Sequence, residues 1–223
     1  MEEKYLQPTP VFDSDSEAIR QKAGEVTKGL DDPVEKAKAL FYFVRDQITY
    51  NLYTKKHMPE HFKASATLER GNGYCVQKAV LLTTLARAAG IPARLGCAKI
   101  RNRLVPPRVL ERLGTDIFPW HGYTELYLDG KWVKATPAFD IAMCEKHGFV
   151  PVEFDGRNDA RFPTHSQDGR PHVEYLLDRG IFDDVPLDQI REALLARNML
   201  TREELERDVG AGSVDWSERY EMP

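Results

Sequence analysis

Apolar residues in the first part of the chain recur at the spacing of helices. Over residues 32–48 they return every three or four positions, and Asp32 followed by Pro33 is a typical helix N-terminus. Residues 14–29 form a more polar segment, whereas residues 74–89 carry one continuous apolar stripe. The pattern therefore predicts three helices in this part of the chain.

Further along, the pattern changes to that of β-strands. Residues 93–101 predict one strand, and residues 121–138 predict a hairpin around the turn Asp129-Gly130. An Asp-Gly pair between two β-rich runs is a strong hairpin signal, and a two-residue turn sets the register of the strands it joins.

The remaining segments have weaker patterns. Residues 51–72 and 102–119 are expected to be irregular, short strands are expected near 149–154 and 172–177, and helices near 188–197 and 201–208. Helices followed by strands and then by helices predict an α+β fold. We expect one domain over residues 1–180 and a helical extension over 181–223 that packs on it.

Composition and charge narrow the class of protein. With 223 residues, 42% hydrophobic and 30% charged, the chain can bury a core, and its net charge of −4 is unlike that of a general nucleic-acid binder. No apolar run approaches the roughly 18 residues of a membrane span. The N-terminal residues lack the pattern of a secretory signal, so we expect a cytoplasmic location. Three cysteines, an odd number, do not form a disulfide framework.

Cys75 stands at the predicted start of a helix, after a flexible turn that contains Gly71 and Gly73. Unpaired N–H groups and the positive end of the helix dipole favour an anion there. A thiolate is such an anion, so we expect a lowered thiol pKa, and the same N–H groups suit an oxyanion. The alternative is that Cys75 is a small buried hydrophobe.

His121 lies at the start of the predicted hairpin, within diagonal reach of Thr136 and, if the strand continues, of Asp140. Asp140 would accept a hydrogen bond from one imidazole nitrogen and leave the other free to take a proton from a thiol. Glu125 more simply pairs with Lys134 on the facing strand. The alternative for His121 is a structural role.

Other pairs of possible metal ligands are weak. His57 and His61 are four residues apart, but Pro59 between them opposes the helix that would align them. Cys144 and His147 have no matching partners, and no calcium-binding pattern is present. We therefore expect no metal site and no cofactor.

The order and spacing of these segments resemble the transglutaminase-like superfamily, a group of papain-related thiol enzymes. The resemblance covers about residues 33–140 and rests on Gly73-Tyr74-Cys75 with Ala79, His121-Gly122-Tyr123-Thr124-Glu125 and Gly130-Lys131-Trp132. It implies a papain-like Cys-His-Asp core in which the cysteine helix packs against an antiparallel sheet carrying the histidine. The sequence departs from the family at Thr136, where an aspartate is usual, and Asp140 follows four residues later.

The resemblance implies acyl transfer through a thioester on Cys75, with residues 1–180 as the catalytic domain. His121 would accept and return the proton, Asp140 would orient the imidazole, and the backbone N–H of Cys75 would hold the oxyanion. Candidates for a second oxyanion donor or for the lining of the cleft are Asn72, Gln77 and Trp120.

The second nucleophile stays open at this point. Water, our first choice, would give a peptidase or amidase, an amine would give a transglutaminase, and a carbon nucleophile would give a cyclase of carrier-bound acyl chains. Thr136 also permits a non-catalytic binding module, and helices 188–208 permit a structural partner protein. We expect a peptide, amide or acyl substrate and no nucleic-acid or membrane partner. The oligomeric state cannot be inferred from the pattern.

Overall fold

Helices occupy the first part of the chain, as the apolar spacing predicts. The structure, a computed structural model, describes residues 2–197 and 199–211, with side chains described as far as residue 206. After a short 3-10 helix at Glu2–Leu6, the helices of this part are α1 (Glu17–Val26), α2 (Pro33–Gln47), α3 (Ala64–Arg70) and α4 (Cys75–Ala88). The predicted cap is confirmed, since Asp32 accepts a hydrogen bond from the Val34 amide at 3.0 Å.

Helix α3 lies in a segment that we expected to be irregular. It follows a 3-10 turn at Pro59–Phe62, has only seven residues and ends at Gly71 with a φ of 68°. A helix of two turns is too short for a clear helical period, so its pattern is easily missed.

Helix α4 is the centre of the core. Every residue from Cys75 to Arg87 is buried, because α1, α2 and α3 pack around it together with the sheet. Even the ammonium of Lys78 is enclosed, where it donates to the carbonyl oxygens of Arg45 at 3.0 Å and Ile48 at 2.5 Å. A helix buried on all sides holds its first residue, Cys75, in a fixed place.

Two sets of strands accompany α4. Before the helix, β1 (Thr49–Tyr50) and β2 (Asn72–Gly73) pair in parallel. After it comes an antiparallel sheet in the order β5-β4-β3-β6, formed by β3 (Ala93–Asn102), β4 (Ile117–Leu128), β5 (Lys131–Ala135) and β6 (Val173–Phe182). The implied packing of a cysteine helix against an antiparallel sheet is therefore confirmed.

The hairpin of β4 and β5 has the predicted register. Leu128 pairs with Lys131, and the turn residues Asp129 and Gly130 have φ values of 48° and 81°. Positive φ at both turn positions gives the twist that joins antiparallel strands. Strand β4 begins at Ile117, earlier than expected, and the segment before it contains a short helix, α5 (Pro107–Leu113).

The chain after β5 differs from the expected pattern. The strand ends at Ala135, and Pro137, which has no N–H for a ladder bond, follows closely. Asp140 therefore does not continue the strand but precedes helix α6 (Ile141–His147). Residues 149–154, expected as a strand, form none.

The predicted C-terminal helices are present as α7 (Leu187–Leu195) and α8 (Arg202–Ala211). Ile190 and Leu194 of α7 are buried against the domain. The division at residue 180 stays a prediction, and β6 crosses that position. The rest of the expected extension, residues 212–223, lies outside the described residues. No helix in the described part of the chain is long and apolar enough to span a membrane.

Candidate active site

Two short parallel strands position Cys75. Their pairing sets Tyr50 opposite Gly73, and the amide of Asn51 donates to the carbonyl oxygen of Gly73 at 3.0 Å. Cys75 follows as the first residue of α4. Tyr50 and Asn51 consequently border the same cavity as the thiol, although the sequence pattern singled out neither.

Gln77 holds the loop before α4 in place. Its Oε1 accepts hydrogen bonds from the Thr54 hydroxyl at 2.7 Å and the Tyr74 amide at 3.2 Å. Its Nε2 donates to the carbonyl oxygens of Lys55 at 2.8 Å and His61 at 2.7 Å. Both amide hydrogens are therefore engaged, so the expectation that Gln77 supplies an oxyanion donor is corrected to a structural role.

Strand β4 brings His121 to the thiol. The Cys75 thiol donates to the carbonyl oxygen of Trp120 at 3.9 Å, and the amide of Gly122 hydrogen-bonds the sulfur. A glycine is needed here, because a Cβ at position 122 would lie 2.7 Å from the Cα of Val76. His121 is buried and borders the same cavity as Cys75.

Burial makes Cys75 and His121 an uncharged pair. Desolvation raises the pKa of the Cys75 thiol, outweighing the opposite effects of nearby backbone amides and of Lys56. Desolvation also lowers the pKa of His121 to about 3, and the charge of Arg161 acts in the same direction. The expected lowering of the thiol pKa is therefore wrong for this enclosed site, where burial outweighs the helix N-terminus.

Asp140 borders the same cavity but has partners other than His121. Its Oδ1 accepts from the Met143 amide at 2.8 Å, which caps α6, and its Oδ2 accepts from the Tyr50 amide at 2.7 Å. Within the described residues no hydrogen bond joins Asp140 to His121, and the buried Nε2 of His121 has no partner. The predicted orienting bond is thus absent, because the chain left the strand before residue 140.

Aromatic rings surround His121. Its ring centre lies 4.9 Å from that of Phe162 and 6.0 Å from that of Tyr175. Thr136, at the usual aspartate position of the family, is buried as well. The imidazole is therefore oriented by packing rather than by a carboxylate.

The other two candidates from the sequence have different surroundings. Asn72 donates to the carbonyl oxygen of Arg70 at 3.1 Å and accepts from the Asn51 side chain at 3.4 Å. It borders neither of the two cavities that meet at Cys75, so it is not placed to donate to an oxyanion. Trp120 borders the smaller cavity, and its place in a substrate cleft stays a prediction.

The two cavities differ in size and lining. The larger has a volume of about 400 Å³ and contains Cys75, His121 and Asp140 in walls that are otherwise mainly apolar. The smaller has a volume of about 60 Å³ and is bordered by Cys75, Lys56 and part of α7. Both cavities border the same thiol, that of Cys75.

Lys56 is a buried cation next to the thiol that the sequence pattern did not reveal. Its ammonium donates to the carbonyl oxygens of Leu52 and Thr54, the latter at 3.0 Å, and lies 5.0 Å from the centre of the Tyr74 ring. Burial lowers the pKa of Lys56 to about 8. A lysine in an irregular segment carries no pattern, so only the folding of this loop over α4 identifies it.

The two histidines of the weak candidate pair lie close together in the segment before α3. The rings of His57 and His61 lie 4.8 Å apart, but Nδ1 of His61 accepts from the Met58 amide at 3.1 Å. No group of three side chains suited to a metal ion occurs in the described residues.

Two solved structures are similar to this chain at low sequence identity. A candidate cysteine protease from Cytophaga hutchinsonii is 21% identical with a TM-score of 0.47, over 60% of this chain and 40% of that one. The periplasmic domain of TgpA from Pseudomonas aeruginosa, bound to ethylmercury, is 22% identical with a TM-score of 0.43, over 60% and 46%. The chain thus matches less than half the length of each. No curated protein matches the sequence.

A family comparison covers the part of the chain that holds both Cys75 and His121. The model of the transglutaminase-like superfamily matches residues 20–137 and so ends just before Asp140. The antiparallel sheet and the helices around α4 agree with the fold of that family. Because the match extends over more than half of its length, the chain belongs to the transglutaminase-like superfamily.

Proposed function

We propose that the protein catalyses acyl transfer through a thioester on Cys75, with water as the usual acceptor. The observation that carries the proposal is the cavity of about 400 Å³ that the buried residues Cys75 and His121 both border. A thiol at a helix N-terminus beside an imidazole is the arrangement of a nucleophile and its general base.

The reaction would start from neutral groups. Cys75 attacks the substrate carbonyl while its proton passes to His121, and the imidazolium then protonates the leaving group. The raised thiol pKa and the lowered imidazole pKa both oppose a preformed ion pair. Proton transfer would therefore accompany attack, and the substrate itself would complete the polar surroundings of the sulfur.

The oxyanion needs two donors. The backbone N–H of Cys75, at the first position of α4, is one. We assign the second to the hydroxyl of Tyr50, which borders both cavities at the thiol. Burial raises the pKa of Tyr50 well above its usual range, so its hydroxyl keeps the proton it would donate.

Asp140 has an indirect part in this scheme. By accepting from the amide of Tyr50 it ties β1 to α6 and so holds the proposed second donor beside Cys75. It would act as a positioning residue for Tyr50 rather than for His121.

Intact-mass spectrometry tests the proposal. Incubation with a panel of peptides, carboxamides and thioesters should add the mass of one acyl group to the wild-type protein. Cys75→Ser should lack the adduct, whereas Cys144→Ala, which alters another buried cysteine outside both cavities, should keep it. A wild-type protein without any adduct, which still binds peptides, would instead favour a non-catalytic binding module.

The acceptor is identified from the products of the same reactions. Free acid indicates water, an acylated amine indicates a transglutaminase, and a cyclised product indicates a carbon nucleophile. We expect free acid to predominate even when a primary amine is added.

A further inference from the structure

Two cavities of unequal size border Cys75. One has a volume of about 400 Å³ and the other of about 60 Å³, and Tyr50, Leu52 and Phe118 border both as well. Since one water needs about 10–15 Å³ of such volume, the smaller cavity has room for a group of about four to six non-hydrogen atoms. A substrate that occupies both cavities would therefore have one large part and one small part.

Helix α7 forms part of the wall of the smaller cavity. Ile190, Ala193 and Leu194 of α7 border the small cavity, and two of these three residues are deeply buried. Leu194 is 8% exposed and Ile190 is 3% exposed. The C-terminal helix thus occupies the place in which an extended substrate would continue past the thiol.

Two arginines attach this part of the chain across the site. Arg191 donates to the carbonyl oxygen of His57 at 2.5 Å, and Arg197 donates to the carbonyl oxygen of Ile117 at 2.6 Å. These bonds connect α7 and its C-terminal end to the loop before α3 and to the start of β4. Helix α7 and the residues just after it are therefore hydrogen-bonded to two separate segments next to the smaller cavity.

The large cavity suits an apolar group. Apart from Cys75, His121 and Asp140, its walls include the side chains Ile100, Val109, Phe118, Phe139, Met143 and Phe162. Ligand sites of a few hundred cubic ångströms with such walls bind apolar groups of small-molecule size.

We infer that α7 makes the active site one-sided, so that the substrate is a bulky apolar acyl group joined to a small leaving group. Suitable leaving groups include methylamine, methanol and methanethiol. This inference rests on the proposed acyl transfer and specifies its substrate. It predicts that internal peptide bonds react poorly, because the chain beyond the scissile bond would meet Ile190 and Leu194.

The reaction balances without a further reagent. The sulfur of Cys75 forms a bond to the acyl carbon, and the bond from that carbon to the leaving group breaks. The thiol proton, carried by His121, is transferred to the leaving group. Water then attacks the thioester, gives the free acid and returns a proton to the sulfur.

Paired thioesters test the leaving-group side. We would compare 4-phenylbutyryl methyl thioester with 4-phenylbutyryl benzyl thioester and measure the rate of acyl adduct formation on Cys75. The methyl compound should react at least about tenfold faster, as expected when a pocket excludes extra carbon atoms. Equal rates for the two thioesters, or cleavage of a peptide blocked at both ends, would overturn the inference.

A matched pair of variants identifies α7 as the cause. Leu194→Ala enlarges the small cavity and should reduce the preference for the methyl thioester at least about threefold. Leu195→Ala makes the same change next to it, at a residue that does not border the cavity, and should keep the preference. Thermal unfolding of both variants would separate loss of folding from altered selectivity. An unchanged preference in folded Leu194→Ala would contradict the assignment to α7.

The acyl side has its own test. Acetyl methyl thioester should react at least about tenfold more slowly than the 4-phenylbutyryl compound. Ala142→Trp, at an exposed position that borders the large cavity, should remove most of this difference, whereas Glu145→Trp on the same helix should not. If adducts form equally fast with small and bulky acyl groups, the inferred substrate is wrong but the proposed acyl transfer stands. Absence of both an adduct and a free-acid product with every compound would overturn the proposed function.

Discussion

Cys75 and Asp140 both stand at the start of a helix and border the same cavity, yet their side chains have very different partners. Both oxygens of Asp140 accept hydrogen bonds from backbone amides, those of Tyr50 and Met143. The Cys75 thiol donates to the carbonyl oxygen of Trp120 at 3.9 Å, a longer bond than either of those to Asp140, and the amide of Gly122 hydrogen-bonds the sulfur. A helix N-terminus favours an anion in both cases, but the carboxylate of Asp140 is engaged as the N-cap of α6, where it accepts from the Met143 amide.

In this chain His121 is held without the aspartate that is usual in the family. Thr136 stands at that position, and the nearest acidic side chain in sequence, Asp140, is engaged elsewhere. The imidazole of His121 packs against Phe162 and Tyr175 instead. Its orientation therefore depends on the shape of its surroundings, and its pKa on burial.

The largest effect is expected at the proposed base. His121→Gln should lower the rate of acyl-enzyme formation by about 10² to 10⁴, because proton removal from a thiol with a raised pKa needs the imidazole. Single-turnover kinetics with a thioester would measure the change. An unchanged rate would show that Cys75 reacts without a base, and the His121 side of the site would lose its proposed role.

A smaller loss is expected at the proposed oxyanion donor. Tyr50→Phe removes one hydroxyl and keeps the ring, which packs edge-on against Phe139 at 5.0 Å between centres. We expect a loss of about 10² in kcat, as for other oxyanion donors, with little change in the rate at which iodoacetamide alkylates Cys75. If both rates fell together, Tyr50 would act on the thiol and not on the oxyanion.

The pH dependence of stability distinguishes a buried neutral His121 from one paired with Asp140. The folded-state pKa of His121 is about 3, below its unfolded value near 6.5, so the unfolded chain binds the proton more readily in between. The free energy of unfolding should therefore fall as the pH falls below about 6.5, by up to about 1.4 kcal/mol per pH unit.

Urea unfolding at pH 7, 6 and 5 measures this slope. His121→Gln should reduce it, and a second contribution should remain from His172, whose pKa burial lowers to about 4. An ion pair with Asp140 would raise the pKa of His121 and give the opposite sign.

The smallest effect is expected from Asp140→Asn. The amide oxygen can still accept one of the two backbone hydrogen bonds, so kcat should change less than about threefold and stability by about 1 kcal/mol. In a triad with an orienting aspartate, the same substitution costs about 10⁴ in kcat. Steady-state kinetics and thermal unfolding of this one variant therefore decide between a cap and an orienting carboxylate.

Much of the fold could be predicted because its signals are local. The helical period and the Asp32 cap gave α2, and the turn at Asp129 and Gly130 gave the register of β4 and β5. Short elements without a full period, such as α3 and α6, could not be recognised in this way. Strand β5 ends at Ala135, three residues before the predicted end of the hairpin at residue 138.

The candidate site, like the fold, could be predicted from the sequence only in its local features. The sequence alone determined that Cys75 begins a helix and that His121 lies on a strand, since both follow from periodicity and spacing, whereas the packing of this helix on the sheet was implied by the family resemblance. Only the tertiary structure decided which groups surround the thiol: Tyr50 comes from β1 and Lys56 from the loop after it, Gln77 and Asp140 are engaged by distant backbone groups, and α7 borders the smaller cavity. Hydrogen-bond partners and burial depend on segments far apart in the chain, and no local pattern records them.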